Sequence, residues 1–112
     1  MSRHLAIAAI YHAIGELVGT GWPIPDSVQV MTDGRVEVSF HDCPEPIDRW
    51  VTLFAPRAEG HTHLLRVSTR RVQVTRWAGD WQVHPVEVIQ YLTVSGSAQS
   101  QAAYERTPAG AA

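Results

Sequence analysis

Two groups of side chains in this 112-residue chain are of types that can do chemistry. The first is His41, Cys43, His61 and His63, two pairs with one residue between partners, which together offer the nitrogen and sulfur donors of a tetrahedral zinc site. Zinc fingers and ribbons separate the residues of a pair by about two to four positions, so here the fold would have to assemble the site. A simple loop over residues 44–60 would bring His41, at the end of one strand, beside His61, at the start of the next. A helix over the same residues, running back along a sheet, would carry the two pairs apart. The helix is the preferred reading below. Exposed loop histidines are therefore expected, with no metal and no other cofactor.

The second group is Arg66, Arg70, Arg71 and Arg76, interleaved with Gln73 and followed by Trp77. If Leu65 and Val74 turn inward, then Arg66, Gln73, Thr75 and Trp77 share the outward face of one hairpin. A cationic sheet face carrying an aromatic ring can hold phosphates and stack bases. Against this stands a net charge of −2. Residues 1–60 carry eight acids and four arginines, and residues 61–112 carry three acids and five arginines, so the arginines also answer an acidic first half. The chain has no lysine, and its Arg, Ala and Gly usage is that of a GC-rich coding sequence, which weakens arginine identity as a sign of function. Nucleic-acid binding is accordingly the second functional reading.

No phosphate loop, dinucleotide fingerprint, nucleophile elbow or His-Glu-x-x-His helix is present. Glu45 and Asp48 sit where the acids of a helix start belong, and Asp33 and Asp80 fall in turns. His12 has no nucleophile that can be assigned to it. A non-enzymatic protein is expected.

The elements that must position these residues come from periodicity. Across Leu5–Val18, Ile7, Ile10, Tyr11, Ile14, Leu17 and Val18 form one apolar stripe at helical spacing, and Glu16 is the only charged residue. The opposite face offers Ala6, Ala8, Ala9, His12, Ala13 and Gly15 instead of charges. Small uncharged residues there suggest a second cover, by a copy of the chain or another protein, with Ala6, Ala9 and Ala13 allowing close approach and His12 and Glu16 forming a polar rim. The sequence then stops the helix with Gly19, Gly21, Pro23 and Pro25, and Trp22 is expected to fold back as a lid on the core.

Val28–Phe40 reads as a hairpin. A three-residue loop at Thr32-Asp33-Gly34, with Gly34 left-handed, pairs Val30 with Val36 and Val28 with Val38. A two-residue loop would set each valine opposite a polar residue. Residues 44–55 favour a helix, with Ile47, Trp50, Val51 and Phe54 at i, i+3, i+4 and i+7; a strand through Trp50–Phe54 is the rival. Leu64–Trp77 reads as a second hairpin with a four-residue turn at Ser68–Arg71, pairing Val67 with Val72 and Leu65 with Val74. Ala78-Gly79-Asp80 is read as the next turn and Trp81–Val83 as a short strand. Residues 85–92 are read as a short helix opened by Pro85, against a strand favoured by Val86, Val88 and Ile89.

The order helix, hairpin, helix, hairpin and a short final element gives an α+β two-layer sandwich, with helices on one face of a mainly antiparallel sheet. It fills one domain over residues 1–94, and the Ser-, Gly-, Ala- and Gln-rich residues 95–112 read as a flexible tail. Cys43 is the lone cysteine, so no intramolecular disulfide is available and a reducing cytoplasm is expected. Arg3 followed by Leu5–Tyr11 has the look of a secretory leader, but His12, Glu16 and the lack of a small-x-small cleavage site weigh against it, and the stretch is too short to span a bilayer.

Leu17-Val18-x-x-Gly21-Trp22-Pro23-Ile24-Pro25-Asp26-Ser27-Val28, leading into Thr32-Asp33-Gly34-Arg35-Val36-Glu37-Val38 and then Ile47-Asp48-Arg49-Trp50, resembles a loose group of small proteins from high-GC Gram-positive bacteria, their phages and mobile elements. The resemblance spans about residues 4–92. It implies a cytoplasmic accessory protein and carries over no activity and no catalytic residue. The sequence therefore leads to a homodimer, or a complex with another protein, through the first helix, with no membrane association.

Overall fold

The computed structural model describes residues 3–94, so the expected tail at 95–112 lies outside the described residues. The protein is an α+β two-layer sandwich. Its elements are α1 (Arg3–Gly19), β1 (Ser27–Val30), β2 (Val36–His41), α2 (Asp48–Phe54), β3 (His61–Val67), β4 (Arg70–Trp81) and β5 (His84–Val94). The sheet runs in the order β1-β2-β5-β4-β3. Every neighbouring pair is antiparallel except β2–β5, which is parallel. Among the described residues no helix is long and apolar enough to cross a membrane.

Both helices cover the same face. Ile10 and Ile14 of α1 meet Val36, Val38 and Phe40 of β2, Val86 and Val88 of β5, and Ile47, Trp50 and Phe54 around α2. Since alternate strand residues point to opposite faces, the valines at even positions of β2 and β5 are what the helices need. The apolar stripe of α1 is thus buried in its own domain. The helix ends as a Schellman motif: Trp22 N–H donates to the Leu17 carbonyl (3.1 Å) and Gly21 N–H to that of Val18 (3.0 Å), with Gly21 at φ +101°. Trp22 then packs edge-on to Trp50 at 4.9 Å, as a lid on the core should. The Trp50 indole N–H donates to the Pro23 carbonyl (2.9 Å), tying that lid segment to α2.

The first hairpin has the expected register, with Val28 opposite Val38, Val30 opposite Val36 and Gly34 at φ +91°. α2 is confirmed in place but is shorter than residues 44–55. Pro44 and Pro46 stay outside it, and Asp48 rather than Glu45 supplies the acid of its first turn.

Four expectations are corrected. The β3–β4 turn is the two residues Ser68-Thr69, which sets Leu65 opposite Val72 and Val67 opposite Arg70. The shift is by two residues, so each side chain keeps its face, and the apolar pattern alone cannot distinguish the two registers. Residues 78–80 are no turn but part of β4. Gly79 lies where α2 ends against the strand, and a Cβ there would come within 2.3 Å of the Phe54 carbonyl oxygen. Gly marks close backbone approach here, not a reversal. The reversal falls at Gln82 (φ +50°) and Val83 (φ +68°), the pair of left-handed residues that a two-residue hairpin requires, so Trp81–Val83 is no separate strand: Trp81 ends β4 and the other two are the turn. Finally, residues 85–92 are not a helix but part of β5. A central strand is buried on both faces and reads as a continuous apolar run, which blurs its period. Pro85 stands at the strand start, where a missing N–H is tolerated.

Candidate functional site

The second face of the sheet carries the surface features. Odd-numbered residues of β2, β3 and β5 and even-numbered residues of β4 point to it, and among the described residues no helix lies over it. Val72, Val74 and Ile89 pack there as a small second cluster with Tyr91 against it. Beside them Leu65 is 42% and Val67 55% exposed. Leu65, Val67, Val72 and Tyr91 floor a cavity of about 280 Å³, and His41, Asp42, Arg70 and Thr93 form its polar rim.

The rim is held by backbone geometry. The His41 ring stacks on Tyr91 with centroids 4.3 Å apart, and the His41 backbone N–H donates to the Asp26 carboxylate. Asp42 is left-handed at φ +48°. There its carboxylate accepts from the Thr93 N–H (2.6 Å) and hydroxyl (2.7 Å). These two hydrogen bonds, the backbone one first, hold the Asp42 carboxyl below the usual carboxylate range, with Arg70 and His41 helping. Arg70 donates to the Thr93 oxygen at 3.0 Å. The rim is therefore a closed polar network beside an apolar floor, suited to excluding water around a docked side chain.

The other end of the same face is charged. Glu37 and Glu87 are side by side on the parallel strands β2 and β5. Like charges placed so would repel. Arg35 reaches Glu37 at 2.9 Å and Asp33 at 3.2 Å, and Arg76 reaches Glu87 at 2.8 Å and Glu37 at 3.8 Å, which compensates the pair. The Glu37 hydrogen bond is the main cause holding the Arg35 guanidinium above its ordinary value.

The two edges of the sheet differ. β1 has four residues, and the Tyr11 hydroxyl of α1 donates to the Val28 carbonyl at 3.1 Å, occupying part of that edge. β3 has seven residues, all exposed except the half-buried Leu64. Its sequence, His-Thr-His-Leu-Leu-Arg-Val, contains no proline, and Arg66 is its one charged side chain of the kind that blunts an edge. The length and position of this edge were missed from sequence.

The residues singled out by sequence fall as follows. His41 and His63 occupy one cross-strand row, through Tyr91 and Val74, with β5 and β4 between their strands. Three strand spacings amount to about 14 Å, far beyond one metal ion. His61 is two residues further along β3, and Cys43 follows β2 and packs toward the helix-side core. Among the described residues no group of three or more His, Cys, Asp or Glu side chains can hold a metal.

The arginines do not form one face. Arg66, Arg71, Gln73 and Trp77 point to the helix side, while Arg70 and Arg76 point to the other. Arg76 is paired with Glu87, and Trp77 packs against the core, so neither is presented for stacking on a base. On α1, Ala6, Ala9 and Ala13 are half-buried flanks of the core stripe. The outward residues are Leu5, Ala8, His12, Gly15 and Glu16, with His12 and Glu16 paired at 3.1 Å. The alanines chosen by spacing are therefore not the centre of the exposed helix face.

Fold and surface together define a class: a small α+β sandwich whose mixed five-stranded sheet is covered by helices on one side and ends in a long exposed strand. Beyond that class, the chain matches no family model, no curated protein and no solved structure.

Proposed function

We propose that this protein acts by binding another protein chain, without catalysis, along the β3 edge and the apolar cavity beside it. The observation that carries the reading is the seven-residue exposed edge next to Leu65, Val67 and Tyr91. An added strand would gain main-chain hydrogen bonds from such an edge, and alternate side chains of that strand would meet the neighbouring pocket. Edge pairing supplies affinity, and the pocket supplies selection. The rim groups Asp42 and Arg70 are already engaged with Thr93, which favours a docking role for the cavity over a reactive one.

The test is a photo-crosslinking side chain placed at Val67, with Gln29 on β1 and Gly15 on α1 as controls, in cells that express the protein. The expected result is a protein adduct from position 67 and none from the controls. Equal labelling from all three positions would overturn the reading. So would salt-sensitive retention on DNA that is lost when Arg66, Arg70 and Arg71 are replaced together, which would restore the nucleic-acid alternative.

A further inference from the structure

The reading of β3 as a binding edge leads to the identity of what binds it. We propose that the occupant is β3 of a second copy, paired antiparallel about a twofold axis through Leu64, so that two five-stranded sheets become one of ten strands.

Paired with itself, β3 is self-complementary. A twofold interface uses the same patch on both subunits, and an antiparallel strand pair is itself twofold. Directly opposed residues in such a pair lie on the same face, so the axis must pass through a residue position. An axis at Leu64 overlaps all seven residues. It sets His61 opposite the partner's Val67, Thr62 opposite the partner's Arg66, His63 opposite the partner's Leu65, and Leu64 opposite itself. The one charged side chain of the strand then meets a threonine. Moving the axis to Leu65 leaves only residues 63–67 paired, and moving it to Arg66 places two guanidinium groups face to face, which destabilises the pair.

Three further features fit the same partner. On the open face, Leu65 and Val67 continue the apolar floor to the joint, where the second copy's histidines would cover their exposed flanks. On the helix side, half-buried Leu64 would meet its symmetry mate and lose its remaining exposure. The opposite edge does not compete, because β1 is short and its Val28 carbonyl is taken by Tyr11.

The experiment uses the full chain with Cys43→Ser, so that an introduced cysteine is the only thiol. Opposed residues of an antiparallel pair have Cα atoms about 4.5–5.5 Å apart, within the roughly 4.4–6.8 Å a disulfide accepts. Leu64→Cys, on the axis, is expected to oxidise to a covalent dimer at low micromolar concentration. Thr62→Cys, which faces Arg66, is expected to form no covalent dimer under the same conditions, and a mixture of Thr62→Cys with Arg66→Cys is expected to cross-link. Light scattering on the unmodified protein over a hundred-fold dilution should give a mass near twice 12.4 kDa at the concentrated end. That measurement keeps the proposal testable if a cysteine variant fails to fold. A dimer that cross-links through Gly15→Cys and not Leu64→Cys would overturn the edge itself. A single-chain mass at every concentration, with Val67 still capturing a protein of different mass in cells, would overturn the second copy and leave edge binding standing.

Discussion

The edges of this sheet show two solutions to one problem. An edge strand presents unpaired backbone groups, and natural folds hide or blunt them. At β1 the fold does so: the strand is four residues long, α1 lies beside it, and Tyr11 donates to the Val28 carbonyl. At β3 it does so far less: six of the seven residues are exposed, Leu64 is half-buried, no proline interrupts the strand, and Arg66 is its one charged side chain. The chain thus covers part of one edge with a tyrosine and leaves the other exposed, which makes β3 the place to look for a partner.

The covered face and the open edge should contribute very unequally to stability. Trp50→Ala empties the centre of the covered face and removes the bond to Pro23, and should cost about 3–5 kcal/mol in denaturant unfolding. Leu65→Ala at the open edge should cost under about 1 kcal/mol, because 42% of the side chain is already exposed. Next in size is Gly79→Ala, whose methyl group would strike the end of α2. A loss of about 1–3 kcal/mol is expected, while the β3 edge stays intact. A Val67→Lys variant should change monomer stability by no more than about 0.5 kcal/mol. Its association, read by light scattering on dilution, should weaken at least tenfold, because a lysine on an edge disfavours pairing.

Tyr11→Phe attacks the comparison from the other side. It removes the hydrogen bond to Val28, should cost about 0.5–1.5 kcal/mol, and should make the amides of β1 exchange faster. The smallest effect concerns Asp42. Its folded carboxyl sits below the ordinary value, so its stabilisation is present above about pH 4 and is lost as pH falls through the folded value. Asp42→Asn tolerates the left-handed backbone but lacks the charge. The stability gap between wild type and this variant should therefore narrow from pH 7 toward about pH 3.

Much of the fold was legible because it rests on local chemistry. Gly34 fixed one loop length, and the loop length fixed which valines face the helices. The helical spacing of Ile47, Trp50 and Phe54 located α2. What failed depended on partners distant in sequence. β5 looked like a helix because a strand buried on both faces has no clean alternation, and its parallel pairing with β2 leaves no local mark. The β3–β4 register slipped by two because such a slip preserves every face. The surface was less legible still. Val74 and Leu65 read as inward, and they do share a face, but it is the face without helices. By spacing Ala6, Ala9 and Ala13 read as the outer surface of α1, whereas the wide apolar stripe leaves them half-buried. The open β3 edge could not be read at all, since strand order decides which strand is last and periodicity does not encode strand order.

The most direct test of the account is amide hydrogen exchange at residues 61–67, measured at a series of protein concentrations with Gln29 and Val30 of β1 as internal controls. The account predicts that protection along β3 rises with concentration while β1 is unchanged. Protection at β3 that does not depend on concentration, at concentrations where light scattering records a dimer, would place the interface elsewhere and contradict it.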